Sequence, residues 1–316
     1  MCEKNFNKKW KTVIEKISKK INKQDFEFEM LMINNEFKLN DDSINEFEDS
    51  IIKKEGLWIT DDILILRLDE ELVRDLVKVG FLPKDLLNYV YSVLVFNYEN
   101  INEIIAFMNL YNDTFLRYDD YYLIEVKKKS VEDIRLLGGE YFIPKIDRKI
   151  NKRNYLDLKQ LEDLKYLYKE FKSYEGKKKY KIITLLSFIL NYKIIMDTQT
   201  RAIIISSALE TIIETPDIRG IKKYFKKKLI NLYKKLNIKN KPFLIKKDFS
   251  DFYEIRSKVV HGDFYLKQLK QLFSSNKDID KLVSKVEKFY EMLVREIILD
   301  YDKVENILKS HNDYKP

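Results

Sequence analysis

From residue 156 to residue 308, apolar side chains recur every three to four positions with almost nothing to interrupt them. That period allows helices and little else. The whole 316-residue chain has only seven glycines and five prolines, too few for the turns of an all-β fold. Leu158, Leu161, Leu164, Tyr168 and Phe171 mark a helix over 156–174, which Glu175-Gly176-Lys177-Lys178-Lys179 breaks. Ile182–Met196 and Thr200–Ile213 follow, apolar nearly all round, as a helix at the centre of a bundle must be. Ile221–Leu236 buries Ile221, Phe225, Leu229, Leu232 and Leu236, and Asp278–Leu308 reads as one long amphipathic helix.

The first half reads differently. Asn5–Asn22 carries Trp10, Val13, Ile14, Ile17 and Ile21 on one helical face, a core helix rather than a membrane-binding one. Asp25–Ile33, Tyr121–Val126 and Glu140–Ile146 have strand composition, the last preceded by Gly138-Gly139, with Pro144 suggesting an edge. Ile63–Leu68 fits a buried strand or the start of a helix. Pro83 is placed to open a helix over Leu86, Leu87, Val90, Val93 and Leu94, and another spans Ile101–Leu110. The polar stretch Lys149–Tyr155 separates the two regions. The expected fold is therefore mainly α, with an α+β domain of unsettled role over 1–150 and an all-α helical bundle over 155–316.

Charge follows the same division. Residues 1–150 hold 23 Lys/Arg against 29 Asp/Glu, and residues 151–316 hold 36 against 22, within a net charge of +8. Arg219–Lys247 contains twelve Lys/Arg and no acid, including Lys222, Lys223, Lys226 and Lys227. Such a face attracts a polyanion by counterion release, which makes RNA the expected partner. A general lysine bias is the alternative, since Lys outnumbers Arg 49 to 10.

Several classes are excluded. The first twenty residues carry seven lysines and no apolar core, so no secretory signal is expected, and Ile182–Met196 is too short to span a bilayer. Cys2 is the only cysteine and, with two histidines, leaves no zinc ligand set; the aspartate pairs 61–62 and 119–120 lack a third ligand. A reducing cytoplasm fits, with no membrane partner, metal or cofactor. No Walker loop, dinucleotide fingerprint or nucleophile elbow occurs.

The remaining chemistry lies in Asp251-Phe-Tyr-Glu-Ile-Arg-Ser-Lys-Val-Val-His-Gly-Asp263. Arg256 offers a permanently charged planar fork to phosphate oxygens, and His261 can exchange a proton near neutral pH. His261 falls in the expected last helical turn, before Gly262, where the dipole favours the protonated ring. Both residues also suit ordinary structural roles, a helix-end histidine and a solvated arginine. Five residues apart, they stand about 140° from each other around an ideal helix. They do not converge unless the helix ends or a second subunit contributes. His311, in a polar tail, is a poor catalytic candidate.

Tyr253-Glu-Ile-Arg-Ser-Lys-Val-Val-His-Gly262, with the upstream Arg201-Ala-Ile-Ile-Ile-Ser-Ser-Ala-Leu-Glu210, resembles the Apea-like branch of the HEPN superfamily (higher eukaryotes and prokaryotes nucleotide-binding). The resemblance spans roughly residues 180–305. It implies a metal-independent endoribonuclease acting as a homodimer, with Arg256 holding the scissile phosphate and His261 as general acid or base. The RNA 2′-OH would be the nucleophile and a 2′,3′-cyclic phosphate the product. Two protomers sharing one cleft would resolve the 140° separation. Glu210 would orient Arg256, and Tyr253 would pack before it contacts RNA. Ser257 stands where other branches often carry Asn, Asp or His. Asp263 stands where a nucleotidylated branch carries Tyr, so that form of regulation is not expected.

Two functions follow, a defence or toxin-like RNA-cleaving effector restrained or triggered by residues 1–150, or a non-catalytic HEPN module that binds nucleic acid or nucleotide. A protein docking its basic half on a membrane surface ranks behind both.

Overall fold

The structure is a computed structural model. It describes the strands given below, residues 103, 106, 107, 109 and 110, and residues 158–195, 197–214, 221–239, 241–260 and 276–310. The chain divides into two compact units, Met1–Met108 with Leu116–Tyr166, and Asn109–Phe115 with Leu167–Pro316.

The first unit contains strands β1 (Phe26–Ile33), β2 (Phe37–Leu39), β3 (Leu57–Thr60), β4 (Ile63–Arg67), β5 (Tyr91–Val95), β6 (Tyr118–Val126), β7 (Ile134–Tyr141) and β8 (Asn154–Leu156). Six of them form one sheet in the order β3-β4-β5-β1-β6-β7, with every neighbouring pair antiparallel. The alternating FEFEMLMI of β1 lies inside this sheet, with Leu31 opposite both Val93 and Tyr121. β2 and β8 pair in parallel.

Three expectations are corrected here. Val93 and Leu94, expected on a helix opened by Pro83, lie in β5, where ladders to β1 and β4 satisfy the backbone of a Tyr- and Val-rich run suited to strands. Residues 83–90 fall outside the described residues. Gly138 and Gly139, expected ahead of a strand, lie within β7, where the register to β6 shifts between Leu123 and Ile124; glycine commonly marks such irregularities. Leu156, expected to begin a helix, ends β8. Ile63–Arg67, open to two readings, is a strand. Residues 103, 106, 107 and 109 are helical, within the helix expected over Ile101–Leu110. The N-terminal helix expected over Asn5–Asn22 falls outside the described residues.

Beyond β8, all the regular structure among the described residues is helical, and this half of the chain is mainly α. The helices are α1 (Leu158–Ser173), α2 (Gly176–Ile194), α3 (Thr198–Ile213), α4 (Ile221–Lys235), α5 (Lys246–Val260), α6 (Asn276–Leu299) and α7 (Tyr301–Lys309). The expected break at Glu175–Lys179 is shorter than its composition suggests. Gly176, at φ +55, permits the left-handed turn, and the three lysines already belong to α2. The single helix expected over Asp278–Leu308 is two, because Asp300 leaves helical geometry and its Oδ1 accepts the Lys303 N–H at 3.0 Å as the N-cap of α7.

α3 is the centre of the bundle, packing against α2, α4, α5 and α6. Asp197 caps it, accepting the Thr200 N–H at 2.7 Å, and Ile205, Leu209 and Ile212 are buried along it. Tyr233, Phe249 and Phe289 tie α4, α5 and α6 together, with ring centroids 5.5–6.0 Å apart in edge-on packing. Each such pair adds about 0.5–1.5 kcal/mol beyond its buried area. The consequence for the motif is a firm base, since Phe249, Phe252 and Ile255 of α5 are all within 1% of full burial.

Candidate functional site

Arg256 and Glu210 come from different helices, 46 residues apart, and meet where α5 packs on α3. Arg256 Nη2 donates to Glu210 Oε2 at 3.4 Å, and both side chains are partly exposed. The guanidinium also lies over the ring of Tyr253, one turn earlier on α5, with 5.7 Å between its carbon and the ring centroid. Tyr253 is itself buried against Phe225 of α4, centroids 5.1 Å apart. The arginine therefore stands on an aromatic base with a carboxylate at its side. Its Nε is buried and has no hydrogen-bond partner among the described residues.

Burial raises the Tyr253 hydroxyl above its ordinary pKa, against the opposing pull of the Arg256 charge. Tyr253 is thus a neutral support at physiological pH. Burial likewise raises the Asp251 carboxyl, although Lys247 and Lys226 work in the other direction. Ser257 is half-buried next to the arginine. His261, Gly262 and Asp263 lie outside the described residues, as does His311; α5 ends at Val260. The structure thus brings together Arg256, Glu210 and Tyr253.

The basic run on α4 and the segment after it separates into charges engaged within the fold and charges turned to solvent. Lys222 forms an ion pair with Glu254 of α5. Lys228 is buried and its ammonium donates to the Leu308 carbonyl near the end of α7, a favourable place for a cation; burial lowers its pKa. Lys241 closes α4 by donating to the carbonyls of Tyr233 at 2.7 Å and Leu236 at 3.0 Å. Lys223 and Lys227 are exposed, and Lys226 is half-buried. Charge counting in the sequence could not reveal these commitments, because the partners of Lys222 and Lys228 lie 32 and 80 residues away.

Two further polar clusters serve the fold. Arg201 donates from Nη1 to Glu287 at 2.7 Å, joining α3 to α6, and Lys193 pairs with Glu291, which also accepts from the Tyr192 hydroxyl at 2.7 Å. A cleft of about 230 Å³ opens among α2, α3, α4, α6 and α7, with Ile212, Ile297 and Leu308 on its walls. Its lysines are engaged, Lys181 with Glu214, Lys309 with Glu305 and Lys228 with α7. Arg256, Glu210 and Tyr253 do not line it. Among the described residues no helix is long and apolar enough to cross a membrane, and no group of three or more His, Cys, Asp or Glu could hold a metal ion.

No protein-family model, curated protein or solved structure matches the chain significantly.

Proposed function

We propose that this chain is a metal-independent HEPN-type endoribonuclease of the Apea-like kind, acting as a cytoplasmic homodimer in defence or toxin-like growth arrest. The observation that carries this reading is the Arg256–Glu210 contact. Two strings separated by about forty residues were linked by resemblance alone, and the fold puts their charged members side by side. An arginine set on Tyr253 and steadied by Glu210 can present its fork to a phosphate with little loss of side-chain freedom.

In the reaction, the RNA 2′-oxygen attacks the adjacent phosphorus while a histidine base takes the 2′-OH proton. The P–O5′ bond breaks and the leaving 5′-oxygen takes a proton from a histidine acid, which gives a 2′,3′-cyclic phosphate and a 5′-OH. Arg256 balances the charge that grows on the phosphoryl oxygens. His261 supplies the proton transfers, one from each protomer. The expected 140° between Arg256 and His261 on one helix is the reason for sharing. Lys223 and Lys227 offer exposed charge to the RNA backbone, with Lys226 beside them.

A binding module without catalysis is the second reading. It is favoured by the exposed Lys223 and Lys227, which attract a polyanion whether or not a reaction follows. A 2′-O-methylated RNA separates the two. The nuclease binds it without cutting it and cuts the unmodified RNA in EDTA, whereas equal survival of both RNAs rules out attack by the 2′-OH.

A further inference from the structure

The segment 241–245, between α4 and α5, is short and heavily anchored. The Tyr233 hydroxyl donates to the Pro242 carbonyl at 3.1 Å and accepts the Leu244 N–H at 3.3 Å. Lys241 is held by the carbonyls ending α4, and the Ile245 N–H donates to Asp248 Oδ2 at 2.7 Å at the start of α5. Leu244 turns inward and is 4% exposed, while its neighbours turn outward, Phe243 at 74% and Ile245 at 46%. These ties fix the backbone on both sides of Phe243 before anything binds. Its exposure therefore follows from the anchoring and not from a loose tip.

The charges close to it in the chain select the occupant. Lys239, Lys246 and Lys247 are exposed on the same short stretch of chain, and Asp248, the first acid after Arg219, has its carboxylate turned to the helix start. An exposed aromatic ring on a short stretch of chain that also carries three exposed lysines suits a ligand with a π-face and a phosphate backbone. Base stacking on an aromatic side chain with lysines along the backbone is how single strands are held without sequence preference. We propose that Phe243 is a stacking platform for an unpaired RNA base, with Lys239, Lys246 and Lys247 contacting the adjoining phosphates. This rests on the RNA-binding reading above and adds to it a preference for single-stranded over duplex RNA.

The test is fluorescence anisotropy with a 2′-O-methyl oligoadenylate, the corresponding blunt duplex and vesicles rich in phosphatidylserine, using wild type, Phe243→Ala and Phe243→Trp. The proposal expects Phe243→Ala to bind the single strand about tenfold or more weakly, Phe243→Trp to bind like wild type, and the duplex to lose little. Because the side chain is mostly exposed, both variants should melt with wild type. If wild type binds neither RNA, the RNA reading fails and this inference fails with it. If wild type binds RNA but Phe243→Ala binds the single strand equally well, only this inference fails. Equal losses on strand and duplex, or a loss confined to the vesicles, also overturn it.

Discussion

Arg256 of α5 and Glu210 of α3 face each other at 3.4 Å where α5 packs on the central helix of the bundle. Their side chains keep 25% and 20% of their exposure, so the pair contributes modestly to stability. Its larger expected role is to hold the guanidinium in place. Glu210→Gln should therefore cost less than about 1 kcal/mol in denaturant unfolding. It should lower the rate of RNA cleavage at saturation about tenfold while RNA affinity stays near wild type. A matched fall in rate and stability would make Glu210 a structural residue only.

The Lys193–Glu291 pair is a different case, with side-chain exposures of 3% and 8%. Removing the charge of one partner leaves the other buried charge less well balanced, at a cost of up to about 3–5 kcal/mol. Glu291→Gln keeps the volume and an acceptor for Tyr192 but loses the negative charge. Urea unfolding should show a loss near the lower end of that range. Adding Lys193→Met should recover most of it, and failure to recover would mean that the unbalanced charge is not the cause.

Gly176 has a positive φ of +55, and a Cβ built on it would meet no atom within 4 Å. Any cost of Gly176→Ala therefore comes from the left-handed backbone and not from a clash, about 1–2 kcal/mol. Gly176→Asn should cost less, since asparagine tolerates this region better. Thermal unfolding of the two variants checks the order. Equal losses would point to some effect other than backbone conformation.

Glu214 gives an acid-side prediction. Lys181, hydrogen-bonded to it at 2.7 Å, holds its carboxyl below the ordinary value of 4.5, outweighing the smaller upward effect of burial. A carboxyl lowered in the folded state stabilises the protein above its unfolded pKa and loses that contribution as pH falls through the folded value. Glu214 is 66% exposed, so the effect is under about 1 kcal/mol and fades with salt. Glu214→Gln should make the stability curve shallower below the ordinary glutamate range and leave its slope unchanged near neutrality. Identical acid limbs for wild type and variant would contradict this.

Helices were legible wherever one apolar face repeats. α3 and α4 lie close to the expected Thr200–Ile213 and Ile221–Leu236, and α5 ends at Val260, next to the turn expected before Gly262. The periodicity failed where a local polar group overrides it. Asp300 divides a continuous stripe by capping, and Val93 and Leu94 satisfy helical spacing equally well in a strand. Arg256, Glu210 and Tyr253 could be named from the sequence, but their closeness depends on how α3 and α5 pack. Phe243 gave no signal at all. Nothing in Lys-Pro-Phe-Leu-Ile states that the leucine, and not the phenylalanine, is the residue turned into the core.

The central claim is chemical, and cleavage of a structured RNA by the purified full chain in EDTA tests it most directly. Wild type should cut and leave 2′,3′-cyclic phosphate ends. Arg256→Ala and His261→Ala should each lower the rate at least a hundredfold. Mixing the two variants should restore little activity, because a mixed dimer keeps one histidine where the reaction takes one from each protomer. No cleavage by wild type, or cleavage that survives both substitutions, would contradict the account.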